Sequence, residues 1–120
     1  MIELIKFHEA EWKFLSIIWD MEPVNSTELM KKSNEVLGWK KSTTYTMIKK
    51  LSERGIIKSE NAIVRAIIKK EDAQRYESEA VVKKAFDNSF PAFVTAFLGN
   101  KKISREEADE LKKLIEEASD

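Results

Sequence analysis

Cysteine is absent from the sequence, which removes disulfides, thiolate metal sites and cysteine nucleophiles in one step. Histidine occurs once, at His8. A metal site there would have to be completed by carboxylates alone, whereas a helix cap needs only the local backbone, so His8 is read as a cap. No apolar run approaches the roughly 18 residues of a membrane span, and Glu3 follows too soon after Met1 for a signal-peptide pattern. A cytoplasmic protein without membrane insertion is expected. Neither a glycine-rich phosphate loop nor a Ser/His/Asp set is present, so no catalytic residue, cofactor or metal ligand is assigned and an enzyme is the least favoured class.

Net charge is absent too, with 21 Lys/Arg against 21 Asp/Glu, yet the balance is uneven along the chain. Residues 1–37 hold four cations and seven anions, and residues 103–120 hold three and seven. Residues 38–58 hold six and one, while residues 59–102 hold eight and six. A central cationic patch is what phosphate neutralisation needs, because fields act within a Debye length of about 10 Å rather than over the whole molecule.

At 120 residues and 42% hydrophobic content, the chain suits one or two small domains with real cores, mostly helical. Residues 1–7 are apolar and fit either a strand or a lead-in coil. A helix should follow from about Glu9 to Asp20, with His8 as N-cap, Glu11 completing a capping box, and Phe7 and Trp12 as a hydrophobic staple. Its aromatic and aliphatic face reads as core. Pro23 breaks the chain and Val24 can make a very short strand. A second helix, capped by Asn25 or Ser26, runs through Leu29, Met30 and Val36 to Leu37 and stops at Gly38.

Only Gly38 to Lys41 separates it from the next helix, the short glycine-bearing connection of a helix-turn-helix. Trp39 in that turn reads as a packing anchor. The helix over about 42–54 carries Thr44, Met47, Ile48 and Leu51 on one face, with Gly55 ending it. Its other face carries Thr43, Tyr45, Thr46, Lys49 and Lys50. Hydroxyls near a helix start reach base edges in a major groove, and lysines beside them reach phosphates. Lys41, Ser42, Thr43, Tyr45, Thr46, Lys49, Lys50 and Arg65 are therefore the candidate DNA-binding residues. Two β-rich runs, Ile56–Ile57 and Ile63–Ile68, around the polar tip Ser59–Ala62 predict a hairpin, completing a winged helix-turn-helix. Its tip offers Glu60 and Asn61 and only Arg65 as a cation, so this wing looks poorly equipped for phosphates.

The pattern turns helical again near Lys70, giving domains 1–70 and 71–120. Ala73, Tyr76, Ala80, Val81 and Phe86 form an amphipathic set. A short apolar helix over F-P-A-F-V-T-A-F-L follows, with Asn88 or Ser89 as cap and Pro91 in its first turn. Ser104 to Glu107 make a capping box for a last helix striped by Leu111, Leu114, Ile115 and Ala118. Tyr76, Phe86, Phe90, Phe93, Val94, Phe97, Leu98, Leu111 and Leu114 exceed what these thin helices cover, so a homodimer through this segment is expected.

The runs H-E-A-E-W-K-F-L-S-I-I-W-D and G-W-K-K-S-T-T-Y-T-M-I-K-K-L-S-E-R-G-I-I, with N-S-F-P-A-F-V-T-A-F-L and I-S-R-E-E-A-D-E-L-K-K-L-I after them, resemble the penicillinase repressor (BlaI/MecI/CopY) family. The E-W-x6-W spacing and the Trp-x3-Thr-x2-Thr start of the third helix carry the likeness, from about Phe7 to Ile115. It implies a bacterial cytoplasmic repressor, a homodimer on a palindromic operator in double-stranded DNA, with base contacts at Ser42, Thr43, Tyr45, Thr46 and Lys49. Relatives often place basic residues where Ser42 and Tyr45 stand, so the operator sequence is not carried over. A membrane-bound sensor protease is a further partner implied for lactam-responsive members, which are cut at an Asn-Phe bond. The matching pair here is Ala96-Phe97, and the Cys-x-Cys motifs of copper-responsive members are missing.

Two functions follow. The first is a dimeric transcriptional repressor. The second is a winged-helix protein-interaction module that turns the same basic surface toward an acidic partner; binding to duplex DNA at physiological salt separates them.

Overall fold

The computed structural model describes residues 6–120. Residues 1–5, most of the stretch left open between strand and coil, lie outside the described residues. The chain divides into two compact units, Met1–Val81 and Val82–Asp120.

Helix α1 (Glu9–Met21) begins as its sequence predicts. The His8 N–H donates to Glu11 Oε1 at 2.8 Å, and the Phe7 and Trp12 rings meet edge to face at 5.7 Å. Phe14, Leu15, Ile17 and Ile18 are buried, because every third or fourth residue of a helix returns to one face. Trp19 is half-buried and its indole N–H donates to the Ile68 carbonyl at 3.0 Å.

Helix α2 (Ser26–Leu37) is capped by Asn25, whose side chain accepts from the Thr27 N–H at 2.8 Å. It ends at Gly38, whose φ of 70° is the left-handed conformation that costs a residue without Cβ least. Leu29 is buried, but Val36 is exposed rather than part of the core. Trp39 does anchor the turn, its ring 5.2 Å from that of Phe14 and its carbonyl accepting from Asn34 Nδ2 at 3.0 Å. Helix α3 (Lys41–Glu53) then buries Thr44, Ile48 and Leu51, with Met47 packed beside them.

Strands β1 (Val24–Asn25), β2 (Ile57–Glu60) and β3 (Ile63–Ala66) form an antiparallel sheet in the order β1-β3-β2. Val24 pairs with Val64, and Lys58 with Arg65. The second strand of the hairpin stops at Ala66, short of the expected Ile68. The Ile67 and Ile68 N–H groups both turn to the Ile56 carbonyl, at 2.8 and 3.1 Å. Glu22 Oε1 accepts from the Ala66 N–H at 2.9 Å, tying the strand's end to the end of α1. Phe14, Leu15, Ile18, Leu29, Leu51, Ile56, Ile57 and Val64 fill one core among α1, α2, α3 and the sheet.

Helix α4 (Lys70–Phe86) starts in the first unit and ends in the second. Of its expected apolar set only Ala73 is buried, and Val81 is exposed. Helix α5 (Phe90–Leu98) takes Ser89 as cap, its hydroxyl accepting from the Ala92 N–H at 3.1 Å. Helix α6 (Arg105–Ala118) takes Ser104, which accepts from the Glu107 N–H at 3.0 Å.

Candidate nucleic-acid interface

The face of α3 opposite the core is built by helical periodicity. With Thr44, Ile48 and Leu51 sealed inward, Lys41, Ser42, Thr43, Tyr45, Thr46 and Lys49 are all exposed. With Lys50, which is exposed as well, the structure brings seven of the eight candidate DNA-binding residues onto one helix surface. Lys41 Nζ sits 6.0 Å from the centre of the Tyr45 ring, the outer limit of a cation–π contact. Ser42, Thr43 and Thr46 line a shallow recess of about 310 Å³ with Met47 and Lys50. Among the described residues, no carboxylate lies within 4 Å of the Lys40, Lys41 or Lys49 ammonium. Those three charges face solvent without a built-in counterion.

Lys50 is arranged differently. Its Nζ lies 3.1 Å from Glu11 Oε2, and the Arg54 guanidinium reaches the same oxygen at 2.8 Å. Arg54 also donates from Nη2 to the Lys6 carbonyl at 2.7 Å. Glu11 itself is 1% exposed. Burial pushes its carboxyl pKa up, but the His8 N–H, the Lys50 ammonium and the Arg54 guanidinium together outweigh that and hold it below the ordinary glutamate value. Sequence reasoning gave Glu11 only its capping role and did not single out Arg54. The available signal was that Lys50 and Arg54, four apart on a helix, share a face.

Arg65 stands exposed on β3, and the wing is better supplied with cations than its tip suggests. Register places Lys58 of β2 directly across from Arg65. Both are exposed, with Glu60 3.4 Å from Lys58 Nζ. Lys58 was passed over because it lies in the strand and not in the turn.

The residues expected at a dimer interface fall mainly in the second unit. Phe93 is their hub, with ring centres 5.5 Å from Phe86, 6.3 Å from Phe90 and 6.1 Å from Phe97. Phe86, Phe93, Val94 and Leu98 are half-buried, while Phe90, Phe97, Leu111 and Leu114 are exposed. Tyr76 belongs to the first unit, half-buried, with the Arg75 guanidinium 5.5 Å from its ring centre. Among the described residues no group of three or more His, Asp or Glu side chains converges as metal ligands would. No described helix is long and apolar enough to cross a membrane.

A helix-turn-helix with a hairpin behind it is shared by many proteins, so comparison decides the assignment. The family model described as penicillinase repressor matches residues 7–117. The chain belongs to the penicillinase repressor family. The match spans both compact units, which makes the second unit part of the family's architecture and not an appendage. The chain is 23% identical over 121 residues to a penicillinase repressor of Bacillus licheniformis, covering 98% of this chain and 94% of the relative. It is 24% identical over 110 residues to the methicillin resistance regulatory protein MecI of Staphylococcus epidermidis, covering 88% of this chain and 89% of that one. Penicillinase repressor family proteins are transcriptional regulators, not enzymes, and this chain is a repressor of that kind.

Proposed function

We propose that the protein is a cytoplasmic homodimeric repressor that binds a palindromic operator through α3. The observation that carries the reading is the exposed face of α3, where Ser42, Thr43, Tyr45 and Thr46 lie beside Lys41 and Lys49, whose ammonium groups have no carboxylate within 4 Å among the described residues. In this reading, hydroxyls of the first two turns meet base edges while Lys41 and Lys49 meet phosphates. Lys58 and Arg65 add phosphate contacts from the wing. Residues 1–70 act as the DNA-binding domain and residues 71–120 as the dimerisation domain. Exposed Phe90, Phe97, Leu111 and Leu114 supply the apolar surface, about 800 Å² per protomer for a standard interface. Repression then needs only occupancy of a promoter.

Footprinting on the protein's own promoter region tests this. Two protected half-sites about one helical turn, roughly 34 Å, apart are expected. Dimers that leave duplex DNA unprotected at physiological salt overturn the reading in favour of an acidic protein partner.

A further inference from the structure

Three basic residues at the end of α3, Lys49 and Lys50 in its second half and Arg54 as its C-cap, look interchangeable in the sequence, but their surroundings are not. Lys50 and Arg54 converge on one oxygen, Oε2 of Glu11, while Oε1 is taken by the His8 N–H. Glu11 lies on α1, so this single carboxylate spans from the start of one helix to the last two turns of another. It is also sealed from water, at 1% exposure, so its charge is balanced by these partners and not by solvent. Lys49, next in the chain, is exposed as Lys50 is, but among the described residues no carboxylate lies within 4 Å of its ammonium.

Building on the DNA-binding reading, we infer that Glu11 is a positioning residue that holds the C-terminal half of α3 against α1 and withholds the Lys50 charge from phosphate. The operator therefore meets Lys49 but not Lys50. Arg54 is held more firmly than Lys50, since its second nitrogen is fixed by the Lys6 carbonyl and its side chain is the less exposed of the two, 32% against 50%. Loss of the Glu11 charge should release Lys50 first. Lys50 already borders the recess lined by Ser42, Thr43 and Thr46, so its ammonium, once released from Glu11, is within the surface assigned to the operator.

The salt dependence of DNA affinity reads this directly, because each phosphate neutralised adds about 0.9 to the slope of log affinity on log salt. One residue counts twice in a dimer. Lys49→Ala should lower the slope by about 1.8, and Lys50→Ala in the unaltered background should leave it unchanged. Glu11→Gln should steepen the slope by about 1.8, equivalent to roughly tenfold more affinity lost between 50 and 200 mM salt. Adding Lys50→Ala to Glu11→Gln should restore the original slope. A lowered slope for Lys50→Ala alone, or an unchanged slope for a folded Glu11→Gln, overturns the inference. Should Glu11→Gln not fold, the Lys49→Ala and Lys50→Ala pair still decides, since equal slope changes for the two refute it. A flat response to Lys49→Ala would instead sink the placement of α3 on DNA, so the two failures are distinct.

Discussion

Thr44 is fully buried in α3, and its hydroxyl has no hydrogen-bond partner. A buried hydroxyl that has lost water and gained nothing costs about 1–3 kcal/mol. Valine has the same shape without the polar atom, so Thr44→Val should raise stability by about 1 kcal/mol, measured as a higher urea midpoint at unchanged slope. Glu11 makes the opposite case, a buried polar group whose partners are all present. Its pKa is lower in the folded chain than in the unfolded one. The stability it contributes is thus complete above the unfolded value of about 4.3 and is lost as pH falls through the lower folded value. Glu11→Gln should be the less stable protein near neutrality and should lose less of its stability on acidification below about pH 4.3. Parallel stability curves for the two proteins across that range would contradict the assignment. Neither environment is legible in a string of letters: burial of Thr44 followed from periodicity, but a meeting of residue 11 with residues 50 and 54 depends on how two helices are laid together.

At the scale of elements, the wing places like charges opposite each other, Lys58 against Arg65. Directly opposed like charges weaken a strand pair by a few tenths of a kcal/mol, a cost that an anion between them would remove. Arg65→Gln should leave the melting temperature unchanged or slightly raised while weakening binding to all duplex sequences alike, as loss of a phosphate contact does. A sequence-dependent loss would point to base contact instead. Most element boundaries were readable because local chemistry sets them: Asn25, Ser89 and Ser104 cap helices with their own side chains, and Gly38 and Gly55 adopt φ near 70° where helices stop. What was not readable came from pairing. The register that sets Lys58 across from Arg65, and the early end of β3 at Ala66, both arise from hydrogen bonds between segments and not within them. The exposure of Val36 and Val81 likewise depends on which helices stand beside them.

At the scale of the whole molecule, zero net charge hides an asymmetry that suits a repressor, with cations concentrated where α3 is exposed and anions toward both ends of the sequence. The second unit leaves large side chains in water, Phe97 most of all at 62% exposure. If a second copy covers them, Phe97→Glu should weaken dimerisation by about 30-fold or more, the effect of losing a contact of at least 2 kcal/mol, while helical content is retained. Sedimentation at several concentrations would measure it. Unaltered self-association would remove Phe97 from the interface.

The three tryptophans and both tyrosines all lie before Val82, whereas the aromatic side chains of the second unit are phenylalanines alone. Intrinsic emission excited at tryptophan wavelengths therefore comes only from the first unit. A thermal melt followed by fluorescence would record the loss of the Trp39–Phe14 and Trp12–Trp19 neighbourhoods, and a calorimetric scan of the same sample would add whatever heat the phenylalanine cluster absorbs at its own temperature.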